Sequence, residues 1–586
     1  MLTAGLLCSP WVAADDAPST EQAVAAWITA DAWVRTGEVP PAESEKAQVP
    51  LSGVEAVSIV LRLGGRIVAV GEDAEGGPEM LRRATGRLLS ECSATLRQRW
   101  PEAMHDALRR QSLLEIDLAG PAEPLLGSTF AEAAAAIDPG RDALAFRRGN
   151  RWARAYPGRL LAAGLAGDPA TTFGRLATET GLPRGAGLPE LLALDSIGVY
   201  RMPTVRLGQF ESGGLPEPLI RQEPEGNAPT VDASGVRTLA ADLLRHLQRQ
   251  RHESAAPGAE NLEGQTRGLG LRGDHDPISG RHDPFTAPPL AQAIAVLAAT
   301  RLAEADEDLA PVAGPFARQL LADLARVDPI EASPLESLEA LAVVSIAAAL
   351  DPTLAAEDAA TAALVDAADD AIGRAIRPEA FESLTPGLKA IVAAAAASNP
   401  GVHGAEGTTE RLNAAWNVCD DTTRVGLMPW FAWAARQAPD AGDLAGELDR
   451  FRTRLLELQI ERSSALDPAE DLLGGFDLER GPRPRSDARS VLPGLGLAIM
   501  LADGDLTPRS ADANDLQTLR RSIVSQREVL GFLQRLAVSS LAAATLPHGD
   551  IARGGIRDAA WDSRQSIMVQ AIALWWLAEC IDSGLP

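Results

Sequence analysis

Beyond Pro284, apolar residues recur at three- and four-residue spacing almost to the C-terminus. This is the period of helices that bury one face. It predicts helices over 288–303, 311–327, 335–350, 356–376, 386–398, 408–418, 422–436, 443–461, 486–502, 511–540 and 563–582, with another at 236–251. Alternate members are apolar on nearly every side: Leu290–Leu302, Leu338–Leu350, Leu388–Ala397, Val425–Ala435, Val491–Leu501 and Ile567–Cys580. The others carry more charge. A helix without a polar face must be covered all round, whereas a striped one faces water. The alternation therefore predicts two layers, six helices inside and six outside.

The N-terminal part has a different rhythm. A helical pattern from Glu21 to Val34 precedes a Pro/Glu-rich connector ending near residue 53. Val57–Leu63 and Arg66–Val70 flank Gly64-Gly65, and Ala143–Arg148 and Arg151–Tyr156 flank Gly149-Asn150; both read as hairpins. Helices are expected at 78–97, 101–110 and 170–180, and strands at 113–118 and 198–207. These elements make an α+β domain over 54–210. Residues 211–235 and 252–284 are rich in Pro, Gly and polar residues, so both are expected to be loops, the first a linker to a helical domain over 236–586.

Composition narrows the classes of function. With 586 residues the chain is long enough for more than one core. Its net charge of −26 opposes nucleic-acid partners and anionic membrane surfaces. No apolar run is long enough to span a membrane. Residues 1–14, ending Val12-Ala13-Ala14, resemble the apolar core and cleavage end of a secretory signal, which implies a periplasmic or secreted protein. Cys92, Cys419 and Cys580 would then remain in the mature chain, an odd number without C-x-x-C spacing, so buried free thiols are expected.

Two stretches of the chain resemble known families. Leu114–Leu118, Ile137-Asp138-Pro139-Gly140-Arg141-Asp142-Ala143-Leu144, Arg151–Pro157, Thr172–Ala177, Gly181-Leu182-Pro183 and Val199-Tyr200-Arg201 resemble, in order and spacing, the AMMECR-type domain. That family carries a Leu-Arg-Gly-Cys-Ile-Gly signature after its first hairpin. Here the place is taken by Ile67-Val68-Ala69-Val70-Gly71, without the cysteine, so thiol chemistry is not implied. The helix count and alternation resemble the (α/α)6 toroids of the six-hairpin and terpenoid-cyclase-like superfamily.

The toroid resemblance implies one concave mouth, lined by the loops that lead into the inner helices. Charged residues stand at several of these positions: His282-Asp283, Asp420-Asp421 with Arg424, Asp487 with Arg489, and Asp562 with Arg564. Paired carboxylates serve general acid/base chemistry, and arginines hold acidic or sugar substrates. An aspartate before a helix is equally a preferred cap. Asp421 and Asp562 are the acid/base candidates; Arg424, Trp561, Arg564, Asp283 and Asp487 are the candidates for binding substrate. Trp416, Trp430 and Trp433 are expected near the same rim, and Trp575-Trp576 inside the last helix. Asp274-His275-Asp276 with His282-Asp283 is the one His/Asp cluster, but its spacing matches no metal motif and no metal is expected. Gly268–Gly273 fits G-x-G-x-x-G without a preceding strand, so no nucleotide cofactor is implied.

The sequence therefore leaves two functions open. One is an extracytoplasmic carbohydrate-active hydrolase or lyase. The other is a non-catalytic protein binding a polysaccharide or peptide. A cyclase or prenyltransferase lacks support, since there is no Asp-rich diphosphate motif and aromatics are only 4% of residues.

Overall fold

Ser19 and Gln22 cap each other reciprocally at the start of the first helix, and Gly37, at φ +78°, ends it. The computed structural model describes residues 18–585 except 186, 193–195, 227–228, 253–268, 327–336, 357, 404–407, 439–441, 463–469 and 508–512. The signal-like residues 1–14 and Gly268 lie outside the described residues. The chain divides into two compact units, residues 1–226 with 544–546, and 227–543 with 547–586.

The first unit contains α1 (Thr20–Thr36), β1 (Ala56–Leu63), β2 (Arg66–Asp73), α2 (Met80–Arg99), α3 (His105–Gln111), β3 (Leu113–Ala119), β4 (Glu123–Pro124) and α4 (Phe130–Ala134). It continues through β5 (Ala143–Arg148), β6 (Arg151–Ala155), α5 (Pro157–Ala162), α6 (Pro169–Glu179), α7 (Leu188–Leu192), β7 (Ile197–Met202), β8 (Thr204–Gly208), β9 (Glu217–Ile220) and β10 (Glu223–Pro224). One sheet has the order β10-β9-β8-β3-β1-β2 and the other β4-β7-β5-β6. Both predicted hairpins form. Gly64 and Gly65 take positive φ (+56° and +73°), the conformation of a tight hairpin turn.

Two expectations change here. The single strand expected at 198–207 is broken at Pro203, and its halves join different sheets. Proline offers no N–H for a continuing ladder, which makes it a natural place to switch. The 211–235 segment, expected as a linker, contributes β9 and β10 to the large sheet. Pro224 lies on the edge strand β10, where a missing donor is tolerated, whereas Pro218 lies in β9 opposite Leu207 of β8.

The second unit is helical apart from the hairpin β11 (Arg272–Asp276) and β12 (Arg281–Thr286), which forms where a loop was expected. Its charged residues hide the alternation by which strands are read. The long helices are α8 (Ala233–Gln250), α9 (Pro289–Ala305), α10 (Ala310–Ala325), α11 (Leu338–Leu350), α12 (Ala359–Ala375), α14 (Pro386–Ser398), α16 (Thr408–Asn417), α17 (Asp421–Gln437), α18 (Gly442–Glu457), α19 (Val491–Ala502), α20 (Ala513–Leu536) and α23 (Ile567–Asp582). Short helices lie between them: α13 (Pro378–Glu382), α15 (Pro400–His403), α21 (Ser540–Ala544) and α22 (Gly549–Ala552).

The six apolar helices pack in the order α9, α11, α14, α17, α19, α23, and α23 packs on α9, so the order of neighbours closes on itself. Each charged helix lies against one of them: α10 on α9, α12 on α11, α16 on α14, α18 on α17, α20 on α19 and α8 on α23. α9 is buried continuously from Ala291 to Leu302, whereas α8 buries Val236, Leu239, Ala240, Leu243, Leu244 and Leu247, the stripe of a one-sided helix.

Side chains also join helices that are not neighbours in this order. Trp575 of α23 packs against Trp430 and Trp433 of α17, tilted to the first and edge-on to the second, with ring centroids 5.1 and 5.5 Å apart. Arg301 of α9 lies over the Trp433 ring at 5.7 Å. Glu579, with no solvent exposure, accepts from Arg301 at 2.9 Å and Arg436 at 2.8 Å.

Candidate functional site

The residues before α23 are held by backbone pairing on both sides. His275 of β11 and Gln565 exchange two backbone hydrogen bonds, of 3.0 and 2.9 Å. The Ala488 N–H, one residue past Asp487, donates to the Asp558 carbonyl at 2.8 Å. Buried Gln570 ties α23 back to this loop by bonding the N–H and C=O of Ile556. Gly555 has no room for a side chain, since a Cβ there would lie 2.6 Å from both Gln565 and His246.

This scaffold gathers acids at the start of α23. Asp558 accepts the Ser566 N–H at 3.0 Å and Asp274 the Ile567 N–H at 2.9 Å, so two carboxylates from distant parts of the sequence satisfy the helix's first donors. Asp562 turns to Arg564, accepting its backbone N–H at 3.1 Å and its guanidinium at 3.0 Å. Burial pushes the Asp558 carboxyl up to about 7, and the nearby charges of Asp562 and Asp274 add to the effect. Asp562 is paired with the Arg564 guanidinium, whereas Asp558 accepts no bond from an arginine among the described residues. A carboxyl whose proton affinity is raised toward neutrality is a group general acid/base chemistry uses.

Of the expected site residues, Asp487, Trp561, Asp562 and Arg564 come into this region. Asp487 and Ala559 are joined by a backbone bridge, and Asp487 bonds Arg489 at 2.8 Å. Trp561 is half-buried and packs on the helical core. Asp283 does not stand at a helix start: it is exposed on β12, opposite Asp274 and before α9 begins at Pro289. Asp421 and Arg424 are placed otherwise. The cap of α17 is Asp420, whose side chain accepts the Thr423 N–H. Asp421 faces outward to Arg424 and Arg454, at 3.4 and 3.3 Å. The Arg424 guanidinium donates to the Trp416 carbonyl and lies 5.0 Å from its ring. Trp416, Trp430 and Trp433 are buried in the helical core rather than displayed on a rim, because each packs against other aromatic rings.

Asp558 was absent from the sequence-based set, and Asp274 entered only through the His/Asp cluster. Asp558 and Asp562 lie four residues apart beside Arg564, which is a local signal. The meeting of Asp274 with α23 has none. That cluster is taken up structurally: His275 contacts Gln565, Asp276 accepts from Ser279, and His282 bonds the Gly273 carbonyl. Among the described residues, no three potential ligands converge on a point that could hold a metal ion.

No family model matches the chain. No curated protein matches it either. A solved structure, that of the uncharacterized protein PH0010 from Pyrococcus horikoshii, is similar at 17% identity and a TM-score of 0.25, covering 35% of this chain and 98% of that one. Among the described residues no helix is long and apolar enough to cross a membrane.

Proposed function

We propose that an AMMECR-like unit is joined to an (α/α)6 toroid, and that the toroid binds a glycan or peptide without cleaving it. The closed neighbour order of six apolar helices, each backed by a charged one, supports the toroid. The observation that carries the binding function is the filled interior. Trp430, Trp433 and Trp575 occupy the space between α17 and α23, and Arg301, Glu579 and Arg436 close it with charge-assisted bonds. Retaining and inverting glycosidases need two carboxylates roughly 5–10 Å apart with substrate between them. Here Asp421, Asp487 and Asp562 are each paired with an arginine near in sequence. Export, as residues 1–14 suggest, fits an extracellular glycan or peptide ligand.

One observation favours the hydrolase or lyase reading instead. Asp558, raised to about 7 beside Asp562, has the proton affinity of a general acid. A single experiment separates the two. The purified chain is run on affinity gels and in solution against a polysaccharide panel, reading retention, new reducing ends and unsaturated-uronide absorbance together. Retention without product is expected. Product formation that disappears in Asp558→Asn and Asp562→Ala would replace binding with catalysis.

A further inference from the structure

The free edges of the two sheets in the first unit border one cleft. β2 ends the larger sheet and β6 the smaller, and a cavity of about 690 Å³ lies between them, closed by α5 and α6. Ile67 and Val70 of β2 and Leu176 of α6 give it apolar wall, and its charged lining sets Arg87, Arg154, Arg159 and Arg175 against Glu72, Asp73 and Glu179, an excess of one positive charge.

The arginines are not equivalent. Arg159 is paired with Glu72 at 2.6 Å. Arg154 and Arg175 have no carboxylate partner and no side-chain hydrogen bond among the described residues. Arg154 is positioned by the Trp152 ring, 5.0 Å from its guanidinium, and its Nε is buried without an acceptor. A peptide strand is a poor occupant. The Val70 N–H of β2 is already bonded to Glu91, and the Glu72 carbonyl to Arg87, so that edge is closed to pairing.

We propose that this cleft binds a small organic anion, a phosphate or carboxylate on an apolar body, with Arg154 and Arg175 holding the charge. Neither the toroid nor its ligand enters the argument. Calorimetric titration of the full chain with 2-naphthyl phosphate and 2-naphthoate, and with neutral 2-naphthol, tests it. Saturable one-to-one binding of an anion is expected, at least tenfold weaker in Arg175→Gln and in Arg154→Gln, and unchanged in Arg245→Gln on exposed α8. Arg175 is exposed on α6, so its variant reads the charge without disturbing the Trp152 contact. Absence of binding by both anions, equal binding of 2-naphthol, or unchanged affinity in Arg175→Gln would overturn the proposal.

Discussion

Asp558 and Glu579 show how differently a buried carboxyl can be treated. Asp558 has one backbone donor and two acidic neighbours, so its charge is resisted. Its folded proton affinity is raised, which contributes stability in full below the ordinary carboxyl range and loses it as pH rises through about 7. Asp558→Asn keeps an acceptor for Ser566 and never ionises. It should match the parent chain near pH 3 and exceed it at pH 8, by roughly 1–3 kcal/mol after allowance for partial exposure, in urea midpoints measured at both values. Glu579 is the opposite case: burial opposes its charge, but Arg436 and Arg301 more than offset this and hold its carboxyl below the usual range. Glu579→Gln removes the buried counter-charge of Arg436 and leaves Arg301 only the more exposed carboxylates of Glu304 and Asp582. A loss of about 3–5 kcal/mol is expected, together with a red shift of tryptophan emission as Trp433 and Trp575 loosen.

Among the elements, close approach decides more than propensity. Gly71 lies in β2 where α2 crosses it, and a Cβ there would stand 2.0 Å from the Ala84 carbonyl. Gly71→Ala must part helix from strand, and a destabilisation of more than about 2 kcal/mol is expected from such overpacking, visible as a lower thermal midpoint. The start of α23 offers a milder test: Asp274→Ala removes a cap supplied from β11 and should cost about 1 kcal/mol, with faster hydrogen exchange confined to the first turn. The long helices and both Gly-turned hairpins were legible because period and turn residues are local signals. β11, β12, β9 and β10 were not, since their residues are charged or include proline and they become strands only through their partners. Of the pair Asp420-Asp421, Asp420 is the cap of α17, because caps are set by backbone geometry and Asp420 adopts it.

For the whole molecule, the two units should answer acid in opposite ways. Burial pushes His246 down to about 3 and His275 to about 4, so both stay neutral where the unfolded chain would take up protons, near pH 6.5. Their contribution is complete above that value and falls with pH down to about 4. Burial also holds His252, His282 and His403 down, whereas raised Asp558 acts in the opposite sense, so the histidines set the direction and the helical unit loses stability as pH falls through that window. In the first unit, burial raises Asp142 to about 7, and its contribution grows as pH falls toward the ordinary carboxyl range. Hydrogen exchange resolved by peptide, at pH 7.5 and pH 5, should show the helical unit losing protection while strands around Asp142 keep or gain it. Uniform loss in both would contradict this.

The division into an α+β part and a helical part, the twelve long helices found among the described residues, and which six of them are apolar on nearly every side could all be read along the chain. Periodicity and apolar content act along a few turns of chain, so they are written locally. Long-range packing alone brings Asp274 and Asp558 to the start of α23, gathers Trp430, Trp433 and Trp575 in the interior, and leaves Arg154 and Arg175 on one cleft with no carboxylate partner among the described residues. Each of these depends on residues far apart in sequence and on burial, which alters what a charge costs and is a property of the surroundings rather than of the residue.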